Sequence, residues 1–246
     1  MIGQAFWLVR KELKHNLWAF VFTLVFTALC GVVTMFFLNQ LARNEFVTEA
    51  GNINGILLDV IFVGMTPSLA ALYMSSPYLS FRTVKEDPFN KKMALLRALP
   101  IPVSVLTLSR TLAMVIILTV MSIVFYLIIT VGLSNEFFTY ITRQEFILFI
   151  LFWFGYALLL GGWNPFVEYG LNGIMLYLSP YIFLLVLLIA IIIISVFTGR
   201  GFVEWSFLLI REYGWIAALF SLGAGAAGVV FWNQLLKQRL LKKDFL

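Results

Sequence analysis

The sequence predicts an all-α membrane protein. It would have six transmembrane helices, an N-terminal interfacial helix and a short charged helix on the cytoplasmic side between spans two and three. A short outer re-entrant or interfacial helix would lie between spans five and six, and both termini would be cytoplasmic. Three observations predict this. The 246 residues are 62% hydrophobic and only 12% charged, with a mean hydropathy of +0.98, whereas a soluble domain needs far more surface charge. Six apolar runs, residues 17–38, 60–81, 112–133, 146–163, 174–198 and 213–232, contain no Asp, Glu, Lys, Arg or His. Each is about as long as a helix needs to cross roughly 30 Å of hydrocarbon. Finally, with a cytoplasmic N-terminus, 13 of the 17 basic residues fall on the inner side, leaving Arg43, Arg143, Arg200 and Arg211 outside; this is the positive-inside pattern. The net charge of +5 therefore reads as membrane orientation and gives no indication of nucleic acid.

Residues 1–16 form an amphipathic segment. Ile2, Phe6, Val9 and Leu13 share a helical face opposite Arg10, Lys11, Lys14 and His15, which suits a helix in the cytoplasmic interface beside membrane lipids. The first apolar run is too long for a signal-peptide core and lacks a small-residue cleavage site, so it is expected to be retained. Because lipid offers no hydrogen bonds, all six runs are expected to be helical. The outer loops at 42–59 and 132–145 are too short to hold a domain. Residues 164–173 are expected to be an inner loop carrying Glu168. In the segment 199–214, apolar Phe202, Trp205, Leu208 and Leu209 are interspersed with Arg200, Glu204, Arg211 and Glu212, so a short helix at the outer interface is expected. The whole chain, 1–246, reads as a single membrane domain.

Residues 85–102, KEDPFNKKMALLRALPIP, interrupt this pattern with six charged residues and three prolines. Asp87 can N-cap a helix that begins at Pro88, where a missing N–H does no harm. Pro100 and Pro102 would terminate it. Phe89, Met93, Leu96 and Leu99 would form a packing face, with Lys92 snorkelling at its edge. Asn90, Lys91, Ala94, Arg97 and Ala98 would face the cytosol.

Several chemistries are missing. The six runs hold no carboxylate, which disfavours ion coupling through an intramembrane acid. There is no GxxxxGK[ST] phosphate loop. GAGAAGVV at 223–230 has the glycine spacing but places Val where Lys is required, and it reads as small residues that let two helices approach. His15 is the only histidine, and no metal-binding or paired-carboxylate pattern is present. The chain is therefore expected to be neither an enzyme nor a metal binder.

The order of these elements, together with the residues around the charged helix, resembles ABC-2 type transporter permeases. The matching residues are Arg82, Lys85, Glu86, Asp87, Pro88 and Phe89, then Leu95 to Pro102, then Ser109 and Arg110. The resemblance implies a half-transporter in the cell membrane, most naturally the bacterial cytoplasmic membrane. A second permease chain, identical or different, would complete it. A separate cytosolic ATPase would carry ATP and magnesium, leaving this chain without a cofactor. Residues 85–100 would be the coupling helix, with Glu86, Asp87, Phe89, Asn90, Lys91, Ala94 and Arg97 against the ATPase. The apolar spans would suit export of an amphipathic or hydrophobic cargo such as a peptide, a lipid-like molecule or an antibiotic. A non-transporting scaffold or immunity subunit that docks a cytosolic partner is the alternative, and a lipid-modifying enzyme ranks behind both.

Overall fold

The computed structural model describes residues 1–43, 53–198 and 200–243, and these residues are built from helices. Of the polar loop expected at 42–59, residues 44–52 lie outside them, as does Gly199; the remainder is helical, at the end of Leu17–Arg43 and in Ile53–Val60. In order, the helices are α1 Ile2–His15, α2 Leu17–Arg43, α3 Ile53–Val60, a π-helical turn Ile61–Met65, α4 Thr66–Ser68, α5 Ser76–Leu79, α6 Thr83–Glu86 and α7 Pro88–Arg97. They continue with α8 Val103–Gly132, α9 Phe137–Tyr140, α10 Arg143–Gly161, α11 Trp163–Gly170, α12 Gly173–Thr198, α13 Phe202–Tyr213 and α14 Trp215–Lys242. Among the described residues, five helical stretches are long and apolar enough to cross a membrane: Leu17–Ala42, Val103–Gly132, Arg143–Gly170, Gly173–Ile194 and Trp215–Lys242.

The apolar run 60–81 is not one continuous helix, contrary to the expectation of six regular spans. Its first part belongs to a shorter apolar helix, Gly55–Ser68, and Ser76–Leu79 forms a separate turn further on. Pro67 has no N–H to give the carbonyl of Val63 four residues back. A π-turn sits just before it, and the chain then tightens through bonds from Ala70 N to Pro67 O (3.2 Å) and Ala71 N to Ser68 O (3.1 Å). Where a break frees backbone groups, neighbouring side chains can take them up, and two carbonyls beside this break have such donors. Tyr156 Oη donates to Val63 O at 2.9 Å, and Asn164 Nδ2 donates to Pro67 O at 3.1 Å. Thr27 and Tyr73 share a hydroxyl hydrogen bond at 2.7 Å.

Other expected boundaries move as well. α8 begins at Val103, so Arg110 lies within a helix and is only 4% exposed. Residues 164–173, expected to be a loop, are largely the helix α11. On α1 the buried residues are Ala5 and Val9, while Ile2 and Phe6 are exposed beside Trp7. Of the expected apolar face, Val9 thus packs inward, while Ile2 and Phe6 stay on the outer surface.

The main core is aromatic. Phe62 lies 5.1 Å from Phe149 and 5.0 Å from Trp153, and Phe149 stacks on Phe207 of α13 at 4.0 Å. The short helix expected in 199–214 is present as α13. It packs onto α10 through Val203, Ser206, Phe207 and Ile210. Its N-terminus is held from α3: both oxygens of buried Asp59 accept backbone N–H bonds, from Phe202 and Val203, at 2.8 Å each. A carboxylate at a helix N-terminus satisfies two orphan donors and complements the dipole.

The glycine-rich stretch of α14 packs closely against α10. A Cβ at Gly225 would lie 2.6 Å from Gly155 O, and one at Gly228 would lie 2.8 Å from Leu159 Cα. Hydroxyl support reinforces the contact, since Ser221 Oγ donates to Phe152 O at 2.6 Å. Small residues at a helix crossing allow this approach.

Candidate functional site

The basic end of the bundle gathers α1, α7, α11, the start of α8 and the end of α14. Helix α7 lies across this end. Met93 is fully buried with Leu106, Tyr169, Leu236 and Leu240, and Phe89 and Leu96 pack at its margin. The helix starts at Pro88 and ends at Arg97, with Pro100 beyond it and Pro102 at the entry to α8. One expectation fails in detail: Asp87 makes no side-chain cap on the helix backbone. It adopts a left-handed conformation (φ 43°) between α6 and α7, and its carboxylate holds Asn90 Nδ2 at 2.5 Å. Two short helices meet at this residue, and the sharp turn between them demands a positive φ that Asp tolerates better than most residues.

The structure divides the expected contact residues into two groups. Glu86 and Lys91 are exposed, and Ala94 is half-buried. Phe89 instead sits between Tyr78 and Tyr169, at 6.0 and 5.4 Å. Asn90, expected to face the cytosol, is 9% exposed. It donates to Leu171 O at 2.6 Å and accepts from Lys243 Nζ at 2.7 Å. Arg97 reaches the end of α14, where its Nη1 donates to Leu240 O and Lys243 O at 2.9 Å each. Both polar side chains thus tie α7 to the C-terminal segment. Burial lowers the pKa of Lys243, against the opposing charge of Asp87. Leu95, outside the expected set, adds to the outward surface (72% exposed), and Leu99, expected in the packing face, is 51% exposed because the helix ends at Arg97 before reaching it.

Beneath α7 lies a cleft of about 370 Å³, lined by a polar cluster the sequence reading did not assemble. Glu12 of α1 pairs with Lys92 of α7 at 2.5 Å and with Arg110 of α8. Arg110 Nη1 also donates to Tyr169 Oη at 3.0 Å, and its guanidinium lies 4.7 Å from the centre of that ring. Tyr78 Oη donates to Glu168 of α11 at 2.5 Å. Burial by itself would raise the Glu12 pKa. The charges of Arg110 and Lys92 outweigh it and hold the carboxyl below the usual glutamate range. Glu12 therefore stays ionised at neutral pH and joins α1 to α7 and α8.

A signal for this cluster did exist. Glu12 continues the spacing of Ala5 and Val9 on the buried stripe of α1, and Arg110 falls in register with Leu106, Met114 and Ile117 on α8. Among the described residues, no group of three or more His, Cys, Asp or Glu side chains could hold a metal ion.

The architecture is that of an all-α, multi-pass membrane protein. No protein family, curated protein or solved structure matches the chain.

Proposed function

We propose that this chain is the membrane permease subunit of an ATP-driven exporter, working with a second permease chain and a separate cytosolic ATPase. The broken segment through Gly55–Ser68 and α5 would serve as the second of six spans, with both termini cytoplasmic. The observation that carries this reading is the seating of α7. One face is locked into the bundle through Met93 and Lys92, while Glu86, Lys91, Leu95 and Leu99 point away from it. A short helix held this way transmits a push from a soluble partner to several spans at once. ATP-driven closure of the partner would press on α7 and move α8 and α11, opening a path for an amphipathic or hydrophobic cargo. The resemblance of residues 82–110 to ABC-2 permeases points the same way.

Gentle purification of the full chain from its native membrane, followed by mass spectrometry, tests the reading. A stoichiometric soluble protein carrying a phosphate-binding loop is the expected companion. Reversing Glu86 and Lys91 together should release it while leaving the permease folded. An intact chain that never retains an ATPase would remove the proposal. The charged helix would then favour the alternative of a docking scaffold without transport.

A further inference from the structure

We propose that the cleft beneath α7 binds a zwitterionic amphiphile, a molecule carrying a phosphate and a primary ammonium above an apolar tail. The proposal stands apart from any ATPase. The cleft's size, about 370 Å³, lies in the range of small-molecule sites. Its walls are graded: Arg110 lines the polar end, and Met114 and Ile117 follow one and two turns further along the same face of α8. A head-up, tail-down ligand matches that gradient.

The charges choose the head. Arg110 has both of its protein hydrogen bonds on Nη1, and its buried Nε has no acceptor among the described residues. Among the described residues, Lys92 Nζ is bonded to Glu12 alone, which leaves donor capacity on an ammonium group with three N–H bonds. On the acidic side, Glu168 accepts from Tyr78, and no basic side chain pairs with it among the described residues. The same cleft thus holds cationic donors short of an acceptor and a carboxylate short of a cation. A simple anion would meet Glu12 and Glu168, and a simple cation would meet Arg110 and Lys92. An uncharged apolar guest would leave the buried Arg110 Nε without an acceptor and Glu168 without a cation, which is costly. A phosphate toward Arg110 and Lys92 with an ammonium toward Glu168 satisfies both signs.

The test is lipid retention by the full-length protein, purified in detergent and stripped of lipid, then read by native mass spectrometry. Phosphatidylethanolamine, phosphatidylglycerol and phosphatidylcholine are added in turn. Phosphatidylethanolamine should be retained about tenfold more strongly than either of the others, the scale of one charge-assisted hydrogen bond. Glu168→Gln, which keeps the shape and the Tyr78 contact, should reduce retention to the phosphatidylglycerol level, and Lys92→Met should weaken it as well. Equal retention of the three lipids would overturn the proposal, as would indifference of folded Glu168→Gln and Lys92→Met proteins. Soluble glycerophosphoethanolamine separates the sources. Competition by it means the headgroup alone suffices; without competition, a membrane lipid is the occupant.

Discussion

Glu12 and Arg110, 98 residues apart in sequence, form an ion pair that joins the N-terminal helix to the first third of a spanning helix. Arg110 is almost wholly buried and the Glu12 side chain is 15% exposed. Removing one member therefore leaves the other charge desolvated, a loss of about 3–5 kcal/mol for buried pairs. Glu12→Gln should lower the unfolding temperature in detergent markedly. Glu12→Gln combined with Arg110→Met should recover much of that loss, because an apolar replacement of both partners is often neutral. Additive losses in the double variant would show that the two residues act independently.

The same pair predicts acid sensitivity of a definite sign. The folded Glu12 carboxyl lies below the usual glutamate range, so its stabilising contribution is fully present above the unfolded value and fades as pH falls through the folded one. Amide protection factors across α1, corrected for the intrinsic pH dependence of exchange, should be unchanged from about pH 7 to about pH 5.5. Its protection should then drop only below the ordinary carboxylate value, while the core around Phe149 remains protected. Loss of α1 protection already on the neutral side would contradict the assignment.

The regular parts of this fold were legible because lipid permits little else. Runs 17–38 and 174–198 each lie within one helix, run 112–133 does so up to Gly132, and the hydrophobic glycine stretch of α14 packs as its small residues imply. What escaped the reading was set by single residues acting at a distance. Pro67 looks harmless in an apolar run, and only the tertiary bonds from Tyr156 and Asn164 show that the helix ends there by design. From the sequence Glu168 reads as a loop residue and Arg110 as lying just ahead of the run 112–133, because charge marks the edge of a span. Pairing across elements allows charged residues to sit inside helices. On α7, periodicity placed Met93 in the packing face correctly. It could not reveal that the end of α14 covers Asn90 and engages Arg97.

Tyr156→Phe tests the supported break. The substitution keeps the ring and deletes the donor that reaches Val63 O. A buried carbonyl left without a partner costs about 1–3 kcal/mol. The expected result is a lower unfolding temperature, with exchange or protease sensitivity rising first around residues 61–75. A uniform loss across the bundle, or none at all, would mean that water or a neighbouring group takes over the carbonyl.

Asp59→Asn should loosen α13 selectively. The amide keeps one acceptor, while Phe202 N and Val203 N at present share two carboxylate oxygens. Loss of the charge at the helix N-terminus and of one bond should cost about 1–2 kcal/mol. Exchange at residues 202–206 should report it before any change in α8.

The three glycines of α14 make a graded final test of the contact with α10. At Gly223 an added Cβ meets nothing within 4 Å. Gly223→Ala should therefore be neutral or stabilising by up to about 1 kcal/mol, as expected of Ala over Gly in a helix. At Gly225 the new Cβ would lie 2.6 Å from Gly155 O and 2.9 Å from Leu158 Cβ, so the backbones must separate. Gly225→Ala should destabilise by about 1–3 kcal/mol despite its better propensity. Gly228→Ala should behave likewise, since its Cβ would lie 2.8 Å from Leu159 Cα. Unfolding temperatures of the three variants, measured in one detergent, should thus separate position 223 from the other two. Equal effects at all three would mean that α10 and α14 do not meet along the face that carries Gly225 and Gly228.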